Sequence, residues 1–234
     1  MRQPSKARQD LRAGSDHFLR RVNPLIGCPL GELDYLRGHK DDFFGDFIRD
    51  EYDQQVNGVG SFIVLLDAVH GGQINLTSGP GNARYAELWL GNRAGNYDTL
   101  GADEGWIQIA RLKVNVIAAG NFDTSMRSGN AAGTRQIFVG INTWLSAANW
   151  VIHCVDFAGN STTDTGVAFD TDWHWHTAEV SSDQVNYYLD GALIGTHTTN
   201  VPADILTPCL ISYSGGAVAR NVNVDFWAVI PRNL

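Results

Sequence analysis

The chain has 234 residues, enough for one sizeable all-β domain, and it is rich in glycine (25 residues). Its formal net charge is −8, which argues against nucleic acid as a partner because there is no basic stripe to meet phosphates. The longest apolar run, "SFIVLLDAV", is about half of the ~20 residues that a membrane-spanning helix needs.

The N-terminus has no apolar segment of the secretory kind, so a chain made in the cytoplasm, or already mature, is expected. Residues 1–40 read as an arm. Its first 21 residues carry Arg2, Lys6, Arg8, Arg12, Arg20 and Arg21 against Asp10 and Asp16, a net of +4, while the rest of the chain carries −12. A basic arm on an acidic body is expected to dock on an acidic surface, such as a neighbouring copy. "SDHFLRRV" has helix-capping residues in Ser15 and Asp16. "NPLIGCPLGELDYLRG" is then broken by two prolines and three glycines and reads as extended.

Residues 41–234 read as a β-domain of ten to twelve strands. "SFIVLLDAV" is a continuous apolar run, expected to be buried on both faces. After it come "QINLTSG", "RYAELWLG" and "GWIQIARLKVNVIAAG". In the last of these the apolar positions slip from 107 and 109 to 112, 114 and 116, which predicts a bulge near Ala110–Arg111. "RQIFVGIN", "WVIHCVDFAG", "TGVAFD", "CLISYSGG" and "NVNVDFWAVI" follow as strands. In the final one Val222, Val224, Phe226, Ala228 and Ile230 are expected to share a face. This pattern makes a two-sheet antiparallel jelly-roll β-sandwich with an extended N-terminal arm the expected fold.

"DWHWHTAEVSSDQVNYYLDG" holds the most structural information. By strand alternation Trp173, Trp175, Thr177 and Glu179 point one way, and His174, His176, Ala178 and Val180 the other. "SSDQ" turns the chain, "VNYYL" returns, and Asp190-Gly191 forms a tight turn into "ALIGTHTT". The stretch Trp175, His176, Tyr187, Tyr188, Asp190, Gly191 resembles the concanavalin A-like jelly-roll superfamily, especially its laminin-G-like and pentraxin-like members. "NVNVDFWAV" is similar to that family's closing strand. The resemblance implies that Trp175 fills the core, that His176 is a satisfied scaffold residue and that the Asp-Gly pair is architectural. It says little about function, because this fold hosts lectins, hydrolases, lyases and structural modules.

Catalysis of glycan cleavage needs two carboxylates flanking the scissile bond. In laminarinase-like members these stand on one strand as Glu-x-Asp-x-(x)-Glu. Here "ELDYLR" offers Glu32 and Asp34, but Leu36 and Arg37 occupy the place of the second Glu. Arg84, Glu87 and Leu88 fit only loosely the Arg-x-x-Glu-Leu strand of alginate-lyase-like members. His174 and His176 share a face and have no visible third ligand, so a structural pair is expected and no metal site is assigned. A loop calcium, with Asp98, Asp103 and Asp123 as ligands, remains an alternative. Cys28, Cys154 and Cys209 have no metal or redox spacing and read as buried thiols.

Glycan binding would fall to loop residues, with Tyr97, Trp106, Trp144 and Trp150 as stacking aromatics and Asn96 and Asp98 as hydrogen-bonding partners. With no complete catalytic set, the chain is expected not to be an enzyme and to need no cofactor. The leading expectation is a virion-type decoration or fibre module, as in laminin-G-like domains appended to bacteriophage particles. Its arm would hold it to its own copies or to other capsid or tail proteins. The alternatives are a lectin module and a glycan hydrolase or lyase on the same fold.

Overall fold

The computed structural model describes residues 39–41, 52–66, 72–90, 105–115, 122–129, 136–203 and 206–231. They form fifteen strands in two antiparallel sheets, and no helix occurs among the described residues. Sheet A has the order β13 (Ala192–His197), β12 (Val185–Leu189), β11 (Trp173–Val180), β6 (Trp106–Val114), β15 (Arg220–Pro231), β4 (Ile74–Ser78), β3 (Phe62–Leu65). Strand β1 (His39–Asp41) adds to it by pairing with β15. Sheet B has the order β10 (Gly159–Ala168), β9 (Asn149–Asp156), β8 (Gln136–Asn142), β7 (Phe122–Gly129), β14 (Thr207–Gly216), β5 (Gly81–Leu90), β2 (Tyr52–Asn57). The fold is the expected concanavalin A-like jelly-roll sandwich.

The core lies between the sheets. Leu88, Leu112, Ile141, Ile152, Leu210 and Val224 interdigitate there, with Trp106, Trp150 and Trp227 almost fully enclosed. Tyr52 stacks on Trp227 at 5.6 Å between centroids, tying sheet B to sheet A. Each large apolar side chain so enclosed stabilises the sandwich by about 2–3 kcal/mol. Cys154 and Cys209 are buried and form no disulfide. Burial pushes the Cys154 thiol up to about 11, beside the Tyr187 hydroxyl at 3.0 Å.

The β11–β12–β13 meander forms as its turn chemistry dictates. Leu189 pairs with Ala192 across a two-residue turn, and Asp190 and Gly191 both take positive φ (50° and 81°). That is the turn geometry whose twist matches a hairpin.

Three expectations about faces change. Among its described residues "SFIVLLDAV" forms the short edge strand β3, where Phe62 and Val64 are exposed rather than buried on both sides. The bulge is not in β6, which pairs with β11 without a slip. It lies opposite, in β15, between Val224 and Phe226. Consequently the even-numbered residues of β15 do not share one face. Val222 and Val224 point into the core, whereas Phe226, Ala228 and Ile230 join Ile107 and Ile109 on the outer side of sheet A. The apolar slip seen in β6 arises because its odd positions 107 and 109 cover that outer patch, while 106, 110, 112 and 114 stay inside.

Strands β2 and β7 were not individually foreseen. In "FDTSMRSG" polar residues dominate, and the strand is held by partners on both sides instead. Strand β1 straddles the expected arm–domain boundary at residue 40. The arm residues Arg2, Lys6, Arg8, Arg12, Arg20 and Arg21, the Ser15/Asp16 capping signal and Cys28 lie outside the described residues.

Candidate functional site

In β5, Ala86, Leu88 and Leu90 enter the core, so Tyr85, Glu87 and Trp89 face outward from sheet B. Register then assembles a cluster on that face. Across β14, Ile211 lies between Glu87 and Ser125, and Cys209 lies between Trp89 and Arg127. Arg127 reaches diagonally over β14, and its Nη2 donates to Glu87 Oε1 at 2.9 Å. The Trp89 indole donates to Glu87 Oε2 at 2.9 Å, and the Arg127 guanidinium lies 5.7 Å from the Trp89 ring centre. Both oxygens of a nearly buried carboxylate are thus held by named donors, which fixes its direction.

Asp53 of β2 pairs in register with Trp89, and Gln55 with Glu87. Asp53 is therefore the diagonal neighbour of Glu87 on the same face, a relation that places side chains about 7 Å apart. Its Oδ1 accepts from Gln55 Nε2 at 2.7 Å, and it is half-buried. Two carboxylates meet on one face, but from adjacent strands. Among the described strands none carries two acids, so the one-strand Glu-x-Asp-x-(x)-Glu arrangement is absent from them.

One row further along, Tyr213 stands opposite Tyr85. The Trp144 ring packs on Tyr213 at 5.3 Å, tilted by 58°, and Trp144 is 47% exposed. Its backbone N–H is anchored by Asn142 Oδ1. An open indole face beside a tyrosine is suited to a pyranose ring, which is apolar on its faces and polar at its rim.

The other sequence-assigned residues fall elsewhere. Trp106 is fully buried in the core, so its ring offers no face to a sugar, and Trp150 is enclosed likewise. Asn96, Tyr97, Asp98 and Asp103 lie outside the described residues, and Asp123 lies within strand β7 rather than in a loop. Among the described residues no three His, Cys, Asp or Glu side chains come together as a metal set. Arg127 went unassigned because β7 was not recognised as a strand. Glu87 had a signal in "AELW", an acid in a run otherwise suited to burial.

The Trp-His stretch is also reassigned. Trp175 does not fill the core; it lies on the outer face of sheet A, packed on Phe226 at 5.3 Å. The buried residue is His176, fully enclosed 4.8 Å from the Trp150 ring, and neither of its ring nitrogens has a hydrogen-bond partner. Burial, reinforced by nearby His174, lowers its pKa to about 3, so it is neutral. His174, two residues earlier, is clamped instead: Nδ1 lies 2.6 Å from Asp190 and Nε2 2.8 Å from Asp170. Burial opposes its charge, but the two carboxylates outweigh it and raise its pKa.

No protein-family model and no curated protein matches the sequence. Solved structures do match in fold. A prokaryotic β-1,3-1,4-glucanase (lichenase) from a mouse hindgut metagenome superposes with a TM-score of 0.59 at 16% identity, covering 83% of this chain and 99% of that one. A glycoside hydrolase family 16 endo-glucanase from Bacteroides ovatus gives 0.59 at 10% identity, with 82% and 99% covered. The Bacillus licheniformis β-glucanase gives 0.58 at 12% identity, with 82% and 97% covered. At these identities the shared property is the fold. The matches nevertheless overturn the expectation that the chain is not an enzyme, since the frame it shares is one of glycan-cleaving enzymes. Nothing in them supports a virion module.

Proposed function

We propose that this chain is a glycoside hydrolase acting on a β-linked glucan, with its site on the outer face of sheet B. The observation that carries the proposal is the convergence on one face of Asp53, Glu87 held by Arg127, and the open Trp144–Tyr213 pair. The likeness in fold to β-glucanases supports the substrate class. In this reading Trp144 and Tyr213 stack a sugar ring, Arg127 and the Trp89 indole orient Glu87 to accept a proton from water or to stabilise positive charge at the anomeric carbon, and Asp53 donates a proton to the leaving oxygen. Paired carboxyl groups about 5–9 Å apart serve such roles, and the diagonal placement of these two fits that span.

Reducing-sugar release from mixed-linkage β-1,3-1,4-glucan and from β-1,3-glucan tests the proposal. Asp53→Asn, a change at a half-buried edge position, should reduce release by about 100-fold or more. Trp144→Ala should raise KM with little change in kcat, since stacking binds ground and transition states alike. No release by the unaltered protein, or full activity in Asp53→Asn, would overturn the proposal.

A further inference from the structure

The outer face of sheet A carries a second polar cluster that plays no part in the proposed hydrolytic site. Register lays it out in two rows. In the first, Asn75 of β4 faces Asn223 of β15, then Lys113 of β6, then Trp173 of β11. In the second, Phe226 of β15 faces Arg111 of β6, then Trp175 of β11, with the bulged Asp225 alongside. The bulge brings the Asp225 carboxylate onto this face, where Oδ2 lies 2.5 Å from Arg111 Nη1.

The Arg111 guanidinium is 5.1 Å from the Trp173 ring centre and 5.9 Å from that of Trp175. Its planar group is thus fixed between two indoles and a carboxylate, with the side chain 35% exposed. Lys113, two residues along the same strand and the same face, has no ion-pair partner among the described residues and is half-buried. The Asn223 side chain is oriented by accepting from Asn75 and from the exposed Asn115 amide at 3.1 Å. One surplus cation, a second cation locked in place, an aromatic face and fixed amides lie together on a protein of net charge −8.

We infer that this face is a binding site for an acidic polysaccharide, distinct from the site on sheet B. An anionic group of the sugar meets Lys113 and the outward N–H groups of Arg111, the sugar face lies on Trp173, and hydroxyls reach the Asn115 and Asn223 side chains. A neutral glucan would leave Lys113 uncompensated. Nucleic acid is disfavoured, because the cations form a pair rather than a track along a backbone.

The test uses the full chain in affinity electrophoresis and titration calorimetry with polygalacturonate, dextran sulfate, neutral mixed-linkage glucan and single-stranded DNA. Polygalacturonate and dextran sulfate separate a carboxylate ligand from a sulfate ligand, and binding of either that weakens with salt is the expected result. Lys113→Gln and Trp173→Ala should each weaken binding by about tenfold or more, while hydrolysis of neutral glucan stays as in the unaltered protein. Lys113→Gln alters only a surface side chain, so it keeps the test open if Trp173→Ala fails to fold. Failure of both acidic polymers to bind, undiminished binding in Lys113→Gln, or equally tight binding of DNA would overturn the inference.

Discussion

The two outer faces hold the same three ingredients in different states of completion. On sheet B, Glu87 receives Arg127 through one oxygen and the Trp89 indole through the other, and both charged side chains are nearly buried. On sheet A, Asp225 meets Arg111 through Oδ2, while Oδ1 is buried without a partner. Burial there pushes the Asp225 carboxyl up to about 6, against the pull of Arg111. What sets the two carboxylates apart is thus the number of donors that reach them after burial, not the presence of an arginine and a tryptophan. With one oxygen left without a donor, Asp225 titrates near neutrality.

The largest expected effect breaks the sheet B pair. Arg127→Ala leaves a nearly buried carboxylate without its cation, and removing one partner of a buried pair costs about 3–5 kcal/mol. Arg111→Ala on sheet A should cost less than half of that. Its carboxylate can take up a proton, and its guanidinium already touches solvent. Urea denaturation of the two variants at pH 7 measures the contrast. Equal losses would mean that the two pairs are energetically alike and that the difference in hydrogen bonding is without consequence.

A smaller effect concerns pH. Because the Asp225 carboxyl titrates higher in the folded chain than in the unfolded one, the folded state holds the extra proton between about pH 4 and pH 6. The contribution of this group is therefore favourable at low pH and is lost as pH rises through about 6, by about 2–3 kcal/mol in all. Asp225→Asn should remove that decline, so that the difference in stability between variant and parent grows in the variant's favour from pH 4 to pH 7. Chemical denaturation at several pH values checks this. A difference that does not change with pH would show that Asp225 is ionised throughout.

Much of the frame was readable because local chemistry and the fold agree. The alternation of 173–180 and the Asp190-Gly191 turn are dictated by neighbours in sequence, and the meander follows. The faces of β15 were misread because an inserted residue at Asp225 reverses inside and outside, and nothing within β15 marks it. The signal appeared in β6 as an apolar slip, on the strand opposite. The candidate sites were less legible for a related reason. Glu87 meets Arg127 across a separation of forty residues and an intervening strand, and Asp53 joins them from a further strand. A search for two acids on one strand does not find acids that register alone brings together. Trp106 and Trp150 were drawn into the stacking set because a tryptophan near a loop reads alike whether it packs inward or outward.

The rule drawn from the two faces extends to the interior, where the expected effect is smallest. His174 and His176 both point inward from β11, yet one has two carboxylate partners and the other has none. Since the His174 pKa is raised on folding, its clamp contributes fully below the ordinary histidine value and is lost as pH rises through the higher folded value. Asp170 and Asp190 are each about half exposed, so solvent screens the clamp and its worth is under about 1 kcal/mol. His174→Gln should therefore lower stability slightly near pH 6 and by less above pH 8, flattening the profile over that interval. Replacing His176 by glutamine should act in the opposite sense: the ring is neutral in the fold but takes up a proton on unfolding near pH 6, so the variant gains stability relative to the parent as pH falls from 8 to 6. Thermal denaturation of the pair at pH 6 and pH 8 separates the two. A His176 variant that loses stability relative to the parent as pH falls, as the His174 variant does, would show that the buried ring is charged in the fold and reverse the rule.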